Sequence, residues 1–141
     1  ERYDGGRLPI KAGVKEILEY LKAENVRCAV ASSTRKAVVE AELRDAGLID
    51  YFEEIVGGDS VKVSKPDPEI YLIACDKLKV DPKDSFAIED SYNGIRSAHA
   101  AGMKPIMVPD MIPADAEMRG LADTVCESLL DVIDYFKNSV G

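Results

Sequence analysis

Ser85-Phe86-Ala87-Ile88-Glu89-Asp90-Ser91, running on through Gly94 to Gly102 and then to Lys104-Pro105-Ile106-Met107-Val108, decides the fold. Ser85–Ile88 reads as a buried strand closed by two carboxylates. Ser91 is a hydroxyl N-cap that opens a helix, and Gly102 ends it. Lys104–Val108 is a second apolar strand. A strand, one helix and another strand describe a crossover that returns the chain parallel to itself.

Working outward, the same alternation continues in both directions. After Gly13, the residues Val14, Ile17, Leu18 and Leu21 form an apolar stripe at helical spacing, closed by Asn25. Arg27–Ala31 is a short, nearly continuous apolar run, as expected of a strand covered on both faces. Ser32-Ser33-Thr34 read as caps of a helix reaching about Ala46, with Gly47 as its stop. Glu54–Val56 is a short strand, and Pro68 to about Leu78 a helix carrying Ile70, Leu72, Ile73 and Leu78. Downstream, a loop with Pro109 and Pro113 leads to a short strand at Thr124–Cys126. A helix from about Leu129 to Phe136 closes the chain. The fold class is α/β: a three-layer, Rossmann-like core with a parallel sheet and helices on both faces. One domain over residues 1–141 accounts for the whole pattern.

A chain of 141 residues can bury a real core. Its 46% hydrophobic and 31% charged content is that of a globular domain rather than a disordered one. No run approaches the apolar length of a membrane span. The net charge of −8 argues against a nucleic-acid partner or an anionic membrane surface. It also repels phosphorylated ligands, which then need a local positive feature. Cys28, Cys75 and Cys126 are odd in number and form no Cys-x-x-Cys pair, so they read as small buried hydrophobes of a reducing cytoplasm. The sequence opens at Glu1 rather than Met, and its start reads as cut.

Ligands of such sheets bind beyond the carboxyl ends of the strands. Three strand ends here are polar: Ser32-Ser33-Thr34, Lys65-Pro66-Asp67-Pro68 and Glu89-Asp90-Ser91. Hydroxyls and amides at a helix start accept phosphate, and a lysine supplies a point charge for phosphoryl oxygens. Paired carboxylates suit Mg²⁺. Each cluster also has an ordinary structural reading, as a helix cap, a solvated lysine, proline punctuation or a dipole-favoured acidic pair.

In order and in flanks, the set resembles the haloacid dehalogenase superfamily, in the branch of β-phosphoglucomutase and related phosphatases. Cys28-Ala29-Val30-Ala31-Ser32 is similar to its second motif, Ser64-Lys65-Pro66-Asp67-Pro68 to its third, and Phe86 to Gly94 to its fourth. Ala98-His99-Ala100-Ala101-Gly102-Met103 fits the continuation. The resemblance runs from about Leu8 to the C-terminus. It implies that Ser32 and the amide of Ser33 hold the phosphoryl group and that Lys65 stabilises its charge. Glu89 and Asp90 would hold Mg²⁺ directly or through water, and Arg35 and Lys36 would touch the substrate's far end. Asn93 is close to the acidic pair and is assigned no role.

The family's first motif, Asp-x-Asp-Gly, supplies the nucleophile, and no Asp-x-Asp occurs in this sequence. Asp4 lacks an apolar strand before it; Asp59, Asp110 and Asp123 have the wrong surroundings, and Asp110 reads as a cap or turn former at the rim. The resemblance therefore implies that the nucleophile strand and a helical cap domain are supplied from elsewhere, by a further segment or a second chain. That strand would lie between Arg27–Ala31 and Ser85–Ile88. The expected activity is Mg²⁺-dependent hydrolysis of a small phosphorylated metabolite, such as a sugar phosphate, through an aspartyl-phosphate. A sugar-phosphate mutase is the alternative enzyme. A phosphate-binding module or inert fragment without turnover is the alternative of another class.

Overall fold

The computed structural model describes residues 13–109 and 113–140, so the readings of Asp4, Leu8 and Asp110 lie outside the described residues. In chain order the elements are α1 (Val14–Ala23), β1 (Ala29–Ala31), α2 (Lys36–Asp45), β2 (Glu54–Val56), α3 (Glu69–Leu78) and β3 (Phe86–Glu89). Then follow α4 (Tyr92–Ala100), β4 (Lys104–Met107), α5 (Ala116–Leu121), β5 (Thr124–Val125) and α6 (Leu129–Val140). The expected alternation of helix and strand is present. The exception is α5, expected as loop: six residues are too few to show a periodic stripe. Its start is nonetheless legible afterwards, since Asp115 caps the Met118 amide.

Helix ends follow the residue types that stop them. Asn25, Gly47 and Gly102 all adopt left-handed backbone just beyond α1, α2 and α4. Ser91 caps α4 by accepting from the Gly94 amide.

Every strand pairing is parallel. Alternation along each strand sorts the side chains into two layers. On β2, Ile55 joins Leu18 of α1 and Val39 and Leu43 of α2, while Val56 joins Ile70 and Ala74 of α3. On β4, Ile106 meets Ile17, Leu129 and Val132 of α1 and α6, and Met107 meets Ile95 and Met118 of α4 and α5. Helices α1, α2 and α6 thus cover one face and α3, α4 and α5 the other, the three layers expected.

The sheet is in two parts. β1 pairs with β2, and β3–β4–β5 form a separate ribbon. Among the described residues nothing pairs with the other edge of β1 or of β3.

Candidate functional site

Lys65 leaves the loop before α3 and carries its ammonium inward. Its Nζ donates to Glu89 Oε2 at 2.6 Å and to the Ala31 carbonyl at 3.3 Å. One lysine therefore ties the last residue of β1 to the last residue of β3, so both strands end at the same place. The side chains of this ion pair are 6% and 3% exposed. Burial alone pushes the Glu89 carboxyl up; the Lys65 charge and hydrogen bonds from Lys65 and Tyr71 act against it, and the net direction is downward.

The loop that delivers Lys65 is itself anchored. Asp67 Oδ2 accepts from the Glu69 amide at the start of α3, and the Asp67 carbonyl accepts from the buried Ser97 hydroxyl of α4 at 2.7 Å. Glu69 Oε1 in turn accepts from the amides of Lys62 and Val63. Pro68 is the N-cap residue of α3, where a missing N–H is tolerated, whereas Pro66 stands in the turn before it, after a cis peptide bond.

Ser32 follows β1 directly and is fully buried. Its amide donates to the Val56 carbonyl, and its Oγ accepts from the Thr34 amide at 3.1 Å. The expectation that Ser32-Ser33-Thr34 cap α2 is corrected. Arg35 is the N-cap and its side chain makes no capping bond. The acceptor comes from another loop: Asp59 Oδ1 takes the Lys36 amide at 3.0 Å. Gly57 and Gly58 allow that approach, because a Cβ would stand 2.3 Å from the Lys36 amide nitrogen or 2.1 Å from the Ser33 carbonyl oxygen. The Ser32–Lys36 turn is thus stitched to the end of β2, with Ser33 left exposed beside it. Nothing local to Asp59 marks it as a cap, because the contact spans 23 residues of sequence.

Arg35 and Lys36 hold their side chains in solvent at the start of α2. Asn93 accepts from Arg96 within α4 at an exposed position. Asp90, next to Glu89, lines the cavity between β1 and β3.

That cavity measures about 780 Å³. Ala29, Val30 and Ala31 bound it on one side and Phe86 to Asp90 on the other. Leu18 of α1 and Phe136 of α6 close one face, and Tyr71, Ala74 and Leu78 of α3 the other. Phe86 and Ile88, which line the cavity, are each 37% exposed. Two strand edges and two helix layers border this space.

The family model described as haloacid dehalogenase-like hydrolase matches residues 5–108. The chain belongs to that family. The bifunctional riboflavin kinase/FMN phosphatase of Arabidopsis thaliana is 39% identical over 121 residues, covering 85% of this chain and 32% of the relative. The phosphorylated carbohydrates phosphatase of Thermotoga maritima is 42% identical over 94 residues, covering 67% of this chain and 44% of the relative. The crystal structure of a putative β-phosphoglucomutase from Thermotoga maritima superposes with a TM-score of 0.82 at 32% identity, over 90% of this chain and 59% of that one. The chain spans about a third to three-fifths of the length of these relatives.

As a haloacid dehalogenase-like chain, its donors can be weighed against the cation the family implies. Glu89 and Asp90 offer hard carboxylate oxygens at one strand end, the chemistry Mg²⁺ takes. Among the described residues no three His, Cys, Asp or Glu side chains gather into a metal-binding group. The pair fits in kind and needs further oxygens, from water, phosphate or a further segment, to complete a shell. No helix among the described residues is long and apolar enough to cross a membrane.

Proposed function

We propose that this chain is the phosphoryl-binding part of a Mg²⁺-dependent phosphatase acting on a small phosphorylated metabolite such as a sugar phosphate. The observation that carries the reading is the buried Lys65 ammonium, held where β1 and β3 end, beside the Ser32–Ser33 turn. In an acidic chain it is the local positive feature a phosphate needs. In this reading the Ser32 hydroxyl and Ser33 amide orient the phosphoryl group, and Lys65 offsets its charge. Glu89 and Asp90 lie at the Mg²⁺ site, Asp90 towards the cavity. The cation, when bound, neutralises charge on the transferring group.

The nucleophile comes from a strand that fills the cavity between β1 and β3. Such a strand would be apolar on both faces, run parallel to its neighbours and end in Asp-x-Asp beside Lys65. A carboxylate oxygen of that aspartate bonds to phosphorus as the ester oxygen leaves, and water then cleaves the acyl phosphate. The likeness to a putative β-phosphoglucomutase supports a second reading, in which a sugar hydroxyl rather than water receives the phosphoryl group.

The test has two parts. Orthophosphate is titrated into the 141-residue chain with Mg²⁺ while the Ser33 and Thr34 amide resonances are followed. Saturable shifts that Lys65→Ala removes support the reading; shifts unchanged by that variant overturn it. An apolar strand ending in Asp-x-Asp is then fused upstream. Mg²⁺-dependent phosphate release from p-nitrophenyl phosphate is expected from the fusion and not from the chain alone. Release by the unfused chain would overturn the strand-supplied nucleophile. Isomerisation of a hexose phosphate without net phosphate release would favour the mutase.

A further inference from the structure

A lysine has four rotatable side-chain bonds and a charge that prefers water, so its burial in one orientation needs a cause. Glu89 supplies the counter-charge, but a carboxylate can itself rotate. Among the described residues, contacts on two sides hold it. On one side the Tyr71 hydroxyl donates to Oε2, the same oxygen that accepts from Lys65. On the other, Oε1 lies against Gly94 so closely that a Cβ there would stand 2.0 Å away.

Tyr71 also faces the lysine directly, with Nζ 5.2 Å from its ring centroid. Its backbone is in the first turn of α3, the turn fixed by Asp67 and by Ser97. The ring has only two torsions and is 7% exposed. Packing alone would be satisfied by phenylalanine. A buried phenol that aims its hydroxyl at a charged carboxylate indicates a polar role.

We infer that Tyr71 is a positioning residue, which clamps the Glu89 carboxylate from α3 and so holds the Lys65 ammonium at the shared end of β1 and β3. This deepens the proposed phosphate reading, on which it rests for the purpose of that lysine. The role assigned to Tyr71 is exerted through Glu89.

Competitive trace labelling of lysines with acetic anhydride tests this on the 141-residue chain, without phosphate or Mg²⁺. Lys83, 76% exposed at its side chain, is the internal standard. Tyr71→Phe is expected to raise Lys65 labelling relative to Lys83 about 3–10-fold, with cooperative melting retained. In a Glu89→Gln background the same substitution should add less than about twofold, because the clamp acts through the carboxylate. If Tyr71→Phe does not melt cooperatively, Tyr71→Met takes its place under the same rule. Unchanged labelling, or effects that multiply in the double variant, overturns the inference. A chain in which orthophosphate fails to bind while the clamp behaves as stated would sink the phosphate reading alone.

Discussion

At Lys65 the sequence shows a lysine in a proline-rich loop, and the fold turns it into half of a buried ion pair. Removing one member of such a pair strands the other in a low-dielectric site. Lys65→Met is therefore expected to destabilise the chain by about 3–5 kcal/mol, read as the shift of the urea midpoint at constant m. The pH dependence follows from the Glu89 carboxyl, which lies below the ordinary glutamate value. A carboxyl lowered on folding contributes stability above its unfolded value, roughly pH 4.3, and loses it as pH falls through the folded value. The difference in melting temperature between the wild type and Glu89→Gln should be constant from pH 7 to about 5 and shrink below about 4.3. A difference that grows on acidification would mean that the carboxyl is raised instead. Ser32, Glu89 and Asp90 were legible as polar residues at strand ends, and Lys65 as part of the polar loop that follows β2. Tyr71 was not, because a tyrosine on a helix stripe looks the same whether its hydroxyl meets water or a carboxylate.

The turn after β1 is an element held from outside. Its amide at Lys36 is capped by Asp59, and Gly57 and Gly58 carry that loop against it. Gly58→Ala drives a methyl into the Ser33 carbonyl, backbone that cannot swing aside, and is expected to destabilise by about 1–3 kcal/mol. Asp59→Ala leaves the geometry but removes the cap, at about 1 kcal/mol. Both should weaken orthophosphate binding as followed at the Ser33 and Thr34 amides; full affinity in Gly58→Ala would show that the turn needs no support from β2. Serines and a threonine before a helix are a fair capping signal. Here the Ser32 oxygen is already taken by Thr34, so the helix draws on an aspartate far along the chain.

For the whole molecule, the divided sheet makes two chemically similar strand positions unequal. Ile106 on β4 is fully buried, whereas Ile88 on β3 borders the open cavity. Ile106→Asp places an unpaired charge in the core and should prevent cooperative folding. Ile88→Asp should cost less than about 1 kcal/mol in this chain, read from the urea midpoint at constant m, yet abolish any turnover gained by fusing the apolar strand. A large loss from Ile88→Asp in the unfused chain would mean that the space is already filled. Edges left unpaired among the described residues are templates for further strand pairing.

The sequence by itself determined the α/β class, the parallel crossovers, most helix limits and the family, because periodicity, caps and ordered short motifs are local. It also named the polar strand ends. Tertiary structure alone decided which of those ends meet: that Lys65 closes on Glu89 and Ala31, that Asp59 caps α2, and that the Tyr71 hydroxyl meets the Glu89 carboxylate. Each depends on distances between segments remote in the chain, and no local pattern encodes a distance.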